Sequence, residues 1–247
     1  MGVLKGVIFS IHPKAEVLDL CHGVEPQNVL HGAILLENAY SFFPHGSIFV
    51  CVVDPGVGTL RKIIAARSEH YWFLGPDNGI LSLALKRERK VTVRQLGRRD
   101  FFLTKEPSTT FHGRDIMAPA AAHLASGKEG RRFEQIGPLV RHYRVLELPK
   151  VKQSFRSLEG VILYFDHFGN AITNILREHK PESFWKRARV LVGKKPLGPL
   201  QKNYASAPSR LMGVINSFSH LEIAFPHGSA KTRGRLKVGQ RVCAVQA

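Results

Sequence analysis

The segment Ser47-Ile48-Phe49-Val50-Cys51-Val52-Val53 constrains the fold more than any other feature of this chain. So short and nearly unbroken an apolar run reads as a strand covered on both faces, which needs layers of other structure on either side of it. The surrounding sequence supplies candidates for those layers. Asn28 to Phe43 has the spacing of an amphipathic helix stopped by Pro44 and Gly46, and Leu4 to Ser10 reads as the end of an earlier helix. Glu16 to Leu20 reads as a short strand, Tyr71 to Leu74 and Val91 to Leu96 as further strands, and Ile80 to Leu85 as a helix between them. Strands alternating with helices predict an α/β domain over residues 1–149, with a mostly parallel sheet flanked by helices.

The pattern changes after Pro149. Gly160 to Phe165, Ala171 to Ile175, Arg189 to Val192, Leu221 to Phe225, Leu236 to Val238 and Arg241 to Val245 are short apolar stretches split by turn residues such as Gly193-Lys194-Lys195-Pro196 and Gly239-Gln240. This predicts a small all-β, barrel-like domain over residues 158–247, joined through the polar and basic stretch Lys150 to Ser157. With 44% hydrophobic residues in 247, the chain has the apolar content for such cores and is not a disordered segment. The sequence contains no apolar run of about 18 residues, and its start has neither a basic n-region nor a long apolar h-region, so the expected location is the cytoplasm.

Composition narrows the chemistry. Cys21, Cys51 and Cys243 are odd in number, far apart and set in or beside apolar segments, so neither a disulfide framework nor a zinc site follows. The 12 histidines include no pair at metal-ligand spacing beside other ligands, and the expectation is no metal. The net charge of +17 raises the question of nucleic acid. The charge comes in short clusters, at Lys86 to Lys90, Arg98-Arg99, Arg131-Arg132, Lys186 to Arg189 and Lys194-Lys195, without interleaved aromatics. These read as solvated faces, and nucleic acid is not the expected partner, although a basic RNA-binding protein stays a rival reading.

Five segments carry candidate chemistry. The apolar strand runs straight into Asp54-Pro55-Gly56-Val57-Gly58-Thr59, whose glycines allow a tight backbone and close approach of a ligand; in open α/β sheets, ligands sit beyond the carboxyl ends of strands. A turn with a helix-capping aspartate reads equally well. Pro76-Asp77-Asn78-Gly79 follows the next strand, where Asp77 or Asn78 fits as the cap of the helix after it. Phe111-His112-Gly113-Arg114-Asp115 precedes a helix over Ile116 to Ala125, with Asp115 placed as N-cap and His112 free to point into a cleft or to be structural. In the β domain, Asp166-His167-Phe168-Gly169-Asn170 offers a carboxylate, an aromatic face and an amide that could read a purine, or else a simple hairpin turn at Gly169-Asn170. Ile215 to Ala224 likewise sets polar residues ahead of a strand.

Taken in order, VVDPGVGT (Val52 to Thr59), GPDNG (Gly75 to Gly79), TFHGRD (Thr110 to Asp115), FD-x-FGN-x-x-TNI (Phe165 to Ile175) and INS-x-x-x-LEIA (Ile215 to Ala224) resemble the S-adenosylmethionine (SAM) hydroxide adenosyltransferases, relatives of the SAM-dependent fluorinases and chlorinases. The early stretch Leu18 to Ala33 is similar as well, so the likeness spans nearly the whole chain. It implies hydrolysis of SAM to adenosine and methionine, with SAM as substrate and no cofactor. The water-using branch is marked by an aspartate opening the DPGVG loop, an arginine seven residues on and a histidine in FHGRD, here Asp54, Arg61 and His112. The halogenases carry an uncharged residue in place of that aspartate. By the same resemblance Asp166 and Ser217 hold the methionine part, Phe168 packs on the substrate, Asn170 reads the adenine edge, and Glu222 is a further candidate on the same strand. The family assembles as homotrimers, with each site between the α/β domain of one subunit and the β domain of its neighbour. Its members usually open with a strand ending in a TDFG-like motif whose aspartate holds the ribose; this sequence opens in the helix that follows, which implies that the strand and the aspartate are missing and that a SAM- or adenosine-binding remnant is the alternative to an active enzyme.

Overall fold

The computed structural model describes residues 2–127, 132–206 and 209–246, so Arg131 of the basic pairs lies outside the described residues. Two compact units divide the chain, Met1–Leu146 and Glu147–Ala247.

The first unit holds helices α1 (Gly2–Ile11), α2 (Val29–Ala39), α3 (Ser82–Arg87) and α4 (Ala118–Ser126) and strands β1 (Ile48–Val50), β2 (Ile63–Arg67), β3 (Trp72–Pro76) and β4 (Thr92–Gln95). The sheet order is β1-β3-β2-β4. Successive side chains of a strand face opposite ways, and each face of this sheet has its own core. Ile64, Ala66, Phe73 and Val93 pack with Leu36 of α2 and with Leu81, Ala84 and Leu85 around α3. Ile63, Ala65 and Leu74 pack with Met117, Ala120, Ala121 and Leu124 at the start of and along α4. The sheet is therefore the middle of three layers, as the apolar run at Ser47 to Val53 requires. The regular part of that run is only Ile48–Val50, but the Cys51 N–H still reaches Leu74 O at 2.9 Å and Ser47 O accepts from Trp72 N at 3.0 Å, which lengthens the ladder at both ends.

Two expectations are corrected here, and one strand is new. The sheet is not mostly parallel: β1 runs parallel to β3, whereas β2 is antiparallel to both β3 and β4. The reason is the short link between β2 and β3. Ser68 accepts from the Tyr71 N–H through its hydroxyl at 2.9 Å and donates its own N–H to Tyr71 O at 2.9 Å, closing a hairpin where a parallel pair would need a crossover of about a dozen residues. Strand β2 itself was not anticipated, because its two alanines lack the β-branched or aromatic character that marks strands. Glu16 to Leu20 is not a strand; Leu18 and Leu20 are 75% and 39% exposed, and Asp19 is drawn instead to Lys5 Nζ at 2.7 Å.

The second unit is an all-antiparallel sheet of β5 (Lys152–Ser154), β6 (Ser157–Phe165), β7 (Ala171–Leu176), β8 (Ala188–Val192), β9 (Lys195–Pro199), β10 (Met212–Ile215), β11 (His220–Ala224) and β12 (Arg241–Gln246), with short helices α5 (Glu182–Trp185) and α6 (Ala230–Gly234). Its strand order is β10-β11-β7-β6-β12-β8-β9, with β5 paired to β6. Part of the stretch read as a linker, Lys152–Ser154, is thus strand β5. The ends of the sheet come together where Gln201 N donates to Gly213 O at 2.8 Å, so the sheet is nearly closed into the expected small barrel. Leu158, Ile162, Ile175, Trp185, Val190, Leu221, Ile223 and Val242 fill it.

The change of partner along β6, from β12 to β7, is marked by a buried amide. Asn174 Oδ1 accepts from Val161 N at 2.7 Å and its Nδ2 donates to Pro149 O at 2.6 Å. Gly160 lies against this side chain: a Cβ there would collide with Asn174 Oδ1 and sit 2.6 Å from Ile175 Cγ1. Gly160→Ala is therefore expected to destabilise the chain by about 1–3 kcal/mol, the range for overpacking a filled core. Denaturant unfolding checks it, and wild-type stability in the variant would refute this packing.

Candidate active site

The three residues marked by the sequence in the first unit meet. After β1 the chain leaves the sheet at Asp54 and turns through Pro55 to Gly58, held by Val57 N donating to Asp54 O at 3.2 Å and by the Thr59 hydroxyl donating to Gly56 O at 2.7 Å. The turn brings Arg61 back onto Asp54: its Nε donates to Oδ1 at 2.7 Å, and Nη2 contacts Oδ2. Only 9% of the Arg61 side chain and 6% of the Asp54 side chain are exposed, so the two-point pair sits out of bulk water, where charge-assisted bonds are strongest. Asp54 is no helix cap.

Arg61 also reaches the third residue. Its Nη2 lies 2.8 Å from His112 Nδ1, and its Nη1 is buried without a hydrogen-bond partner. Gly58 closes the loop onto the same segment. Its φ is +82°, and a Cβ there would stand 2.8 Å from Thr109 O, so only glycine lets the loop approach so near. His112 opens a π-helical turn, Gly113–Met117, that leads into α4. Such turns are rare and frequent at functional sites. Because of it, Asp115 is not the N-cap of the following helix. Its carboxylate takes Arg114 Nε and Nη2 at 2.6 and 2.9 Å and Ser108 N at 2.8 Å, and the hydrogen bond from Arg114 holds it below the usual carboxylate range. Asp77 and Asn78 are not helix caps either: α3 starts at Ser82 without a side-chain cap, Asp77 Oδ1 accepts from Arg144 N at 2.7 Å, and Asn78 Nδ2 donates to Val53 O at 2.8 Å.

The contact with Arg61 sets the state of His112. A guanidinium only donates, so Nδ1 must accept, and a neutral imidazole that accepts at Nδ1 carries its proton on Nε2. Protonating Nδ1 would turn an N–H toward the guanidinium. Burial, and next the Arg61 charge, push the His112 pKa below its ordinary 6.5, while Asp54 and Asp115 pull the other way. Neutral His112 is therefore a donor through Nε2, not a base at Nδ1.

In the second unit, the FDHFGN turn ties itself together. Asp166 Oδ1 accepts from Asn170 N at 2.8 Å and Oδ2 from Asn170 Nδ2 at 3.1 Å, with Gly169 at φ +79° making the turn. Phe168 is 74% exposed on that turn, and Ser217 is exposed in the turn between β10 and β11. Glu222, on β11, is 3% exposed; Tyr204 Oη donates to its Oε1 at 2.9 Å and Asn216 Nδ2 to its Oε2 at 3.2 Å. Burial raises the Glu222 pKa, the charge of Asp166 adds to the rise, and the Tyr204 hydroxyl is pushed up to about 12 by burial and then by Glu222. Asp166 and Asn170 thus form one polar pair, and Glu222 forms another group with Tyr204 and Asn216. Sequence reasoning missed Tyr204, which sits in an irregular stretch with no pattern to mark it, and passed over Asn216, whose place in the INS motif could have found it. Among the described residues no three His, Cys, Asp or Glu side chains gather as metal ligands do, and no helix is long and apolar enough to cross a membrane.

Known proteins share this arrangement of segments. The family model described as SAM hydroxide adenosyltransferase N-terminal domain matches residues 1–137, and that for the C-terminal domain matches residues 160–243. An (R)-S-adenosyl-L-methionine hydrolase of Thermus thermophilus is 34% identical, covering 98% of this chain and 92% of its own length. A fluorinase of Nocardia brasiliensis is 28% identical over 95% of this chain and 88% of its own. The crystal structure of an uncharacterized conserved protein from Thermotoga maritima superposes with a TM-score of 0.88 at 35% identity, covering 99% of this chain and 94% of that one.

The protonation state of His112 can be read directly. Nitrogen NMR of protein labelled at histidine is expected to show the Nε2–H tautomer at pH 7, titrating below 6.5. In Arg61→Met the pKa should rise, since one of its two depressing causes is gone. The unfolded chain takes up this proton first as pH falls, so the stability linked to His112 is present above about 6.5 and is lost as pH drops through the lowered folded value. An imidazolium or an Nδ1–H tautomer at pH 7 would overturn the assignment.

Proposed function

The chain belongs to the SAM hydroxide adenosyltransferase family, and from that premise we propose that it hydrolyses SAM to adenosine and methionine by attack of water on the ribose C5′. The observation that carries the reading is the Arg61 guanidinium held between the Asp54 carboxylate and His112 Nδ1. As the water oxygen bonds to C5′, the C5′–S bond breaks and its electron pair returns to sulfur, turning the sulfonium into the thioether of methionine. One proton must leave the water. Asp54 is the anionic acceptor for it, Arg61 orients that carboxylate, and the Nε2–H of His112 donates to the water oxygen and fixes its direction. Proton transfer of this kind is worth roughly 10²–10⁴-fold, and holding the water in line with the leaving sulfur supplies much of the rest. A carboxylate here disfavours a halide by like-charge repulsion, which separates this chain from its fluorinase relatives.

Asp166 and Ser217 hold the methionine part, Phe168 packs on the substrate, Asn170 reads the adenine edge, and Glu222, bonded to Tyr204 and Asn216, backs Asp166. Since the relatives are named for the R sulfonium, (R)-SAM is the preferred epimer. Supporting the reading of these roles are the burial of Glu222 and the turn that sets Asn170 against Asp166. The chain works in the cytoplasm as a homotrimer, each site drawing its α/β residues from one subunit and its barrel residues from a neighbour.

Adenosine release from SAM is the assay. Asp54→Ala, Arg61→Ala and His112→Ala are each expected to cut turnover by roughly 10²–10⁴-fold while adenosine binding stays largely intact, and wild-type turnover should survive EDTA. Full activity in any two of the three variants, or loss in EDTA reversed by a divalent ion, would sink the mechanism. Assembly is a separate matter. Light scattering on the eluted protein is expected to give three times the chain mass, and an active monomer would rule out shared sites.

A further inference from the structure

We propose that Asn78 is a positioning residue for the reaction, acting as a clasp that fixes where Asp54 and Arg61 stand. The loop 54–61 carries both residues, and the turn after β3 holds both of its ends. At one end, Asn78 Nδ2 donates to the carbonyl of Val53, the residue before Asp54, at 2.8 Å. At the other, the Asp77 N–H donates to the carbonyl of Lys62, the residue after Arg61, at 2.9 Å. Asn78 is itself held: its Oδ1 accepts from Ile80 N at 3.1 Å, so the amide bridges the turn and the loop.

The surrounding backbone permits no loose version of this contact. Gly75 on β3 would place a Cβ 3.1 Å from Cys51 O, so the strand ends run close together. Gly79 has φ +98°, and a Cβ there would stand 2.7 Å from Leu146 Cγ. The turn is thus packed against the Leu146 side chain and the strand ends against each other, and the side chain joining turn and loop is one amide that donates to the loop's first flank and accepts within the turn. Val53 O lies beyond the last ladder bond of β1, at Cys51 N. The Asn78 amide satisfies it in place of a neighbouring strand, which extends the sheet's order one step further, to the residue before Asp54.

This assignment rests on the hydrolase reading for its kinetic consequence but not for its geometry, and the test separates the two. Asn78→Asp keeps an acceptor for Ile80 N and sets a carboxylate oxygen against the Val53 carbonyl, so only the clasp is lost. In that variant kcat should fall roughly 10- to 100-fold, as small displacements of a catalytic group do. KM for SAM should change less than about 3-fold, because the Asn78 amide spends its donor and its acceptor on the protein's own backbone. Hydrogen exchange over residues 54–61 should quicken while that of β2 stays as in the wild type. If Asn78→Asp does not fold, Asn78→Ala removes the amide without adding charge and is read in the same way. Wild-type kcat, or a lowered melting temperature with unchanged kcat and loop exchange, overturns the proposal. Faster loop exchange in a chain whose wild type releases no adenosine would leave the clasp standing and refute the hydrolase reading instead.

Discussion

The ion pair between Asp54 and Arg61 is the contact on which the first unit's chemistry depends. Burying one charge alone costs several kcal/mol, and removing either partner of a buried pair costs about 3–5 kcal/mol because the other is left uncompensated. The hydrogen bond from Arg61 Nε to Oδ1, backed by the contact of Nη2 with Oδ2, holds this enclosed pair together. The same guanidinium then settles the proton of His112. One side chain, fixed by one ion pair, therefore sets the orientation of the carboxylate on one side and the tautomer of the imidazole on the other.

What holds that pair in place is the sheet. β1, lying parallel to β3, delivers Asp54 at its carboxyl end, and the hairpin from β2 to β3 sets the segment after Arg61 beside the turn at Asp77. Gly58 presses the loop against Thr109, three residues ahead of His112. Residues far apart in sequence are thus brought together by backbone contacts that leave no room for a larger side chain. In the barrel, by contrast, the polar groups are assembled from turns. Asp166 and Asn170 bind each other within one turn, and Glu222 depends on Tyr204 and Asn216 to be tolerated in a buried place.

The motifs, their order and the change of pattern at Pro149 were legible because they are local. A glycine-rich loop after an apolar strand, or a histidine before a helix, is visible in a few residues. So were helices α1 to α4 and the barrel-like second unit, since periodicity reports which side of an element is covered; the short helices α5 and α6 were not. Strand direction was not: Ser68 to Tyr71 had to be recognised as a hairpin and Ile63–Arg67 as a strand, and two alanines hid the latter. The caps expected at Asp77, Asn78 and Asp115 failed for a common reason. Each side chain found another partner: Asp77 and Asn78 meet Arg144 N and Val53 O, far away in the chain and without mark in the local pattern, whereas Asp115 is taken by its neighbour Arg114 and by Ser108 N in the π-helical turn.

By itself, then, the sequence determined the residue types available for chemistry and the segments that carry them: Asp54, Arg61 and His112 in one unit, Asp166, Asn170 and Glu222 in the other. It also determined the family, because ordered motifs survive where single residues do not. Tertiary structure alone decided that Arg61 stands between Asp54 and His112, that the imidazole donates from Nε2, and that an amide at Asn78 holds the loop from behind. The physical reason is that hydrogen-bond direction and burial depend on distances of about 3 Å between atoms whose separation along the chain is arbitrary, and only folding sets those distances.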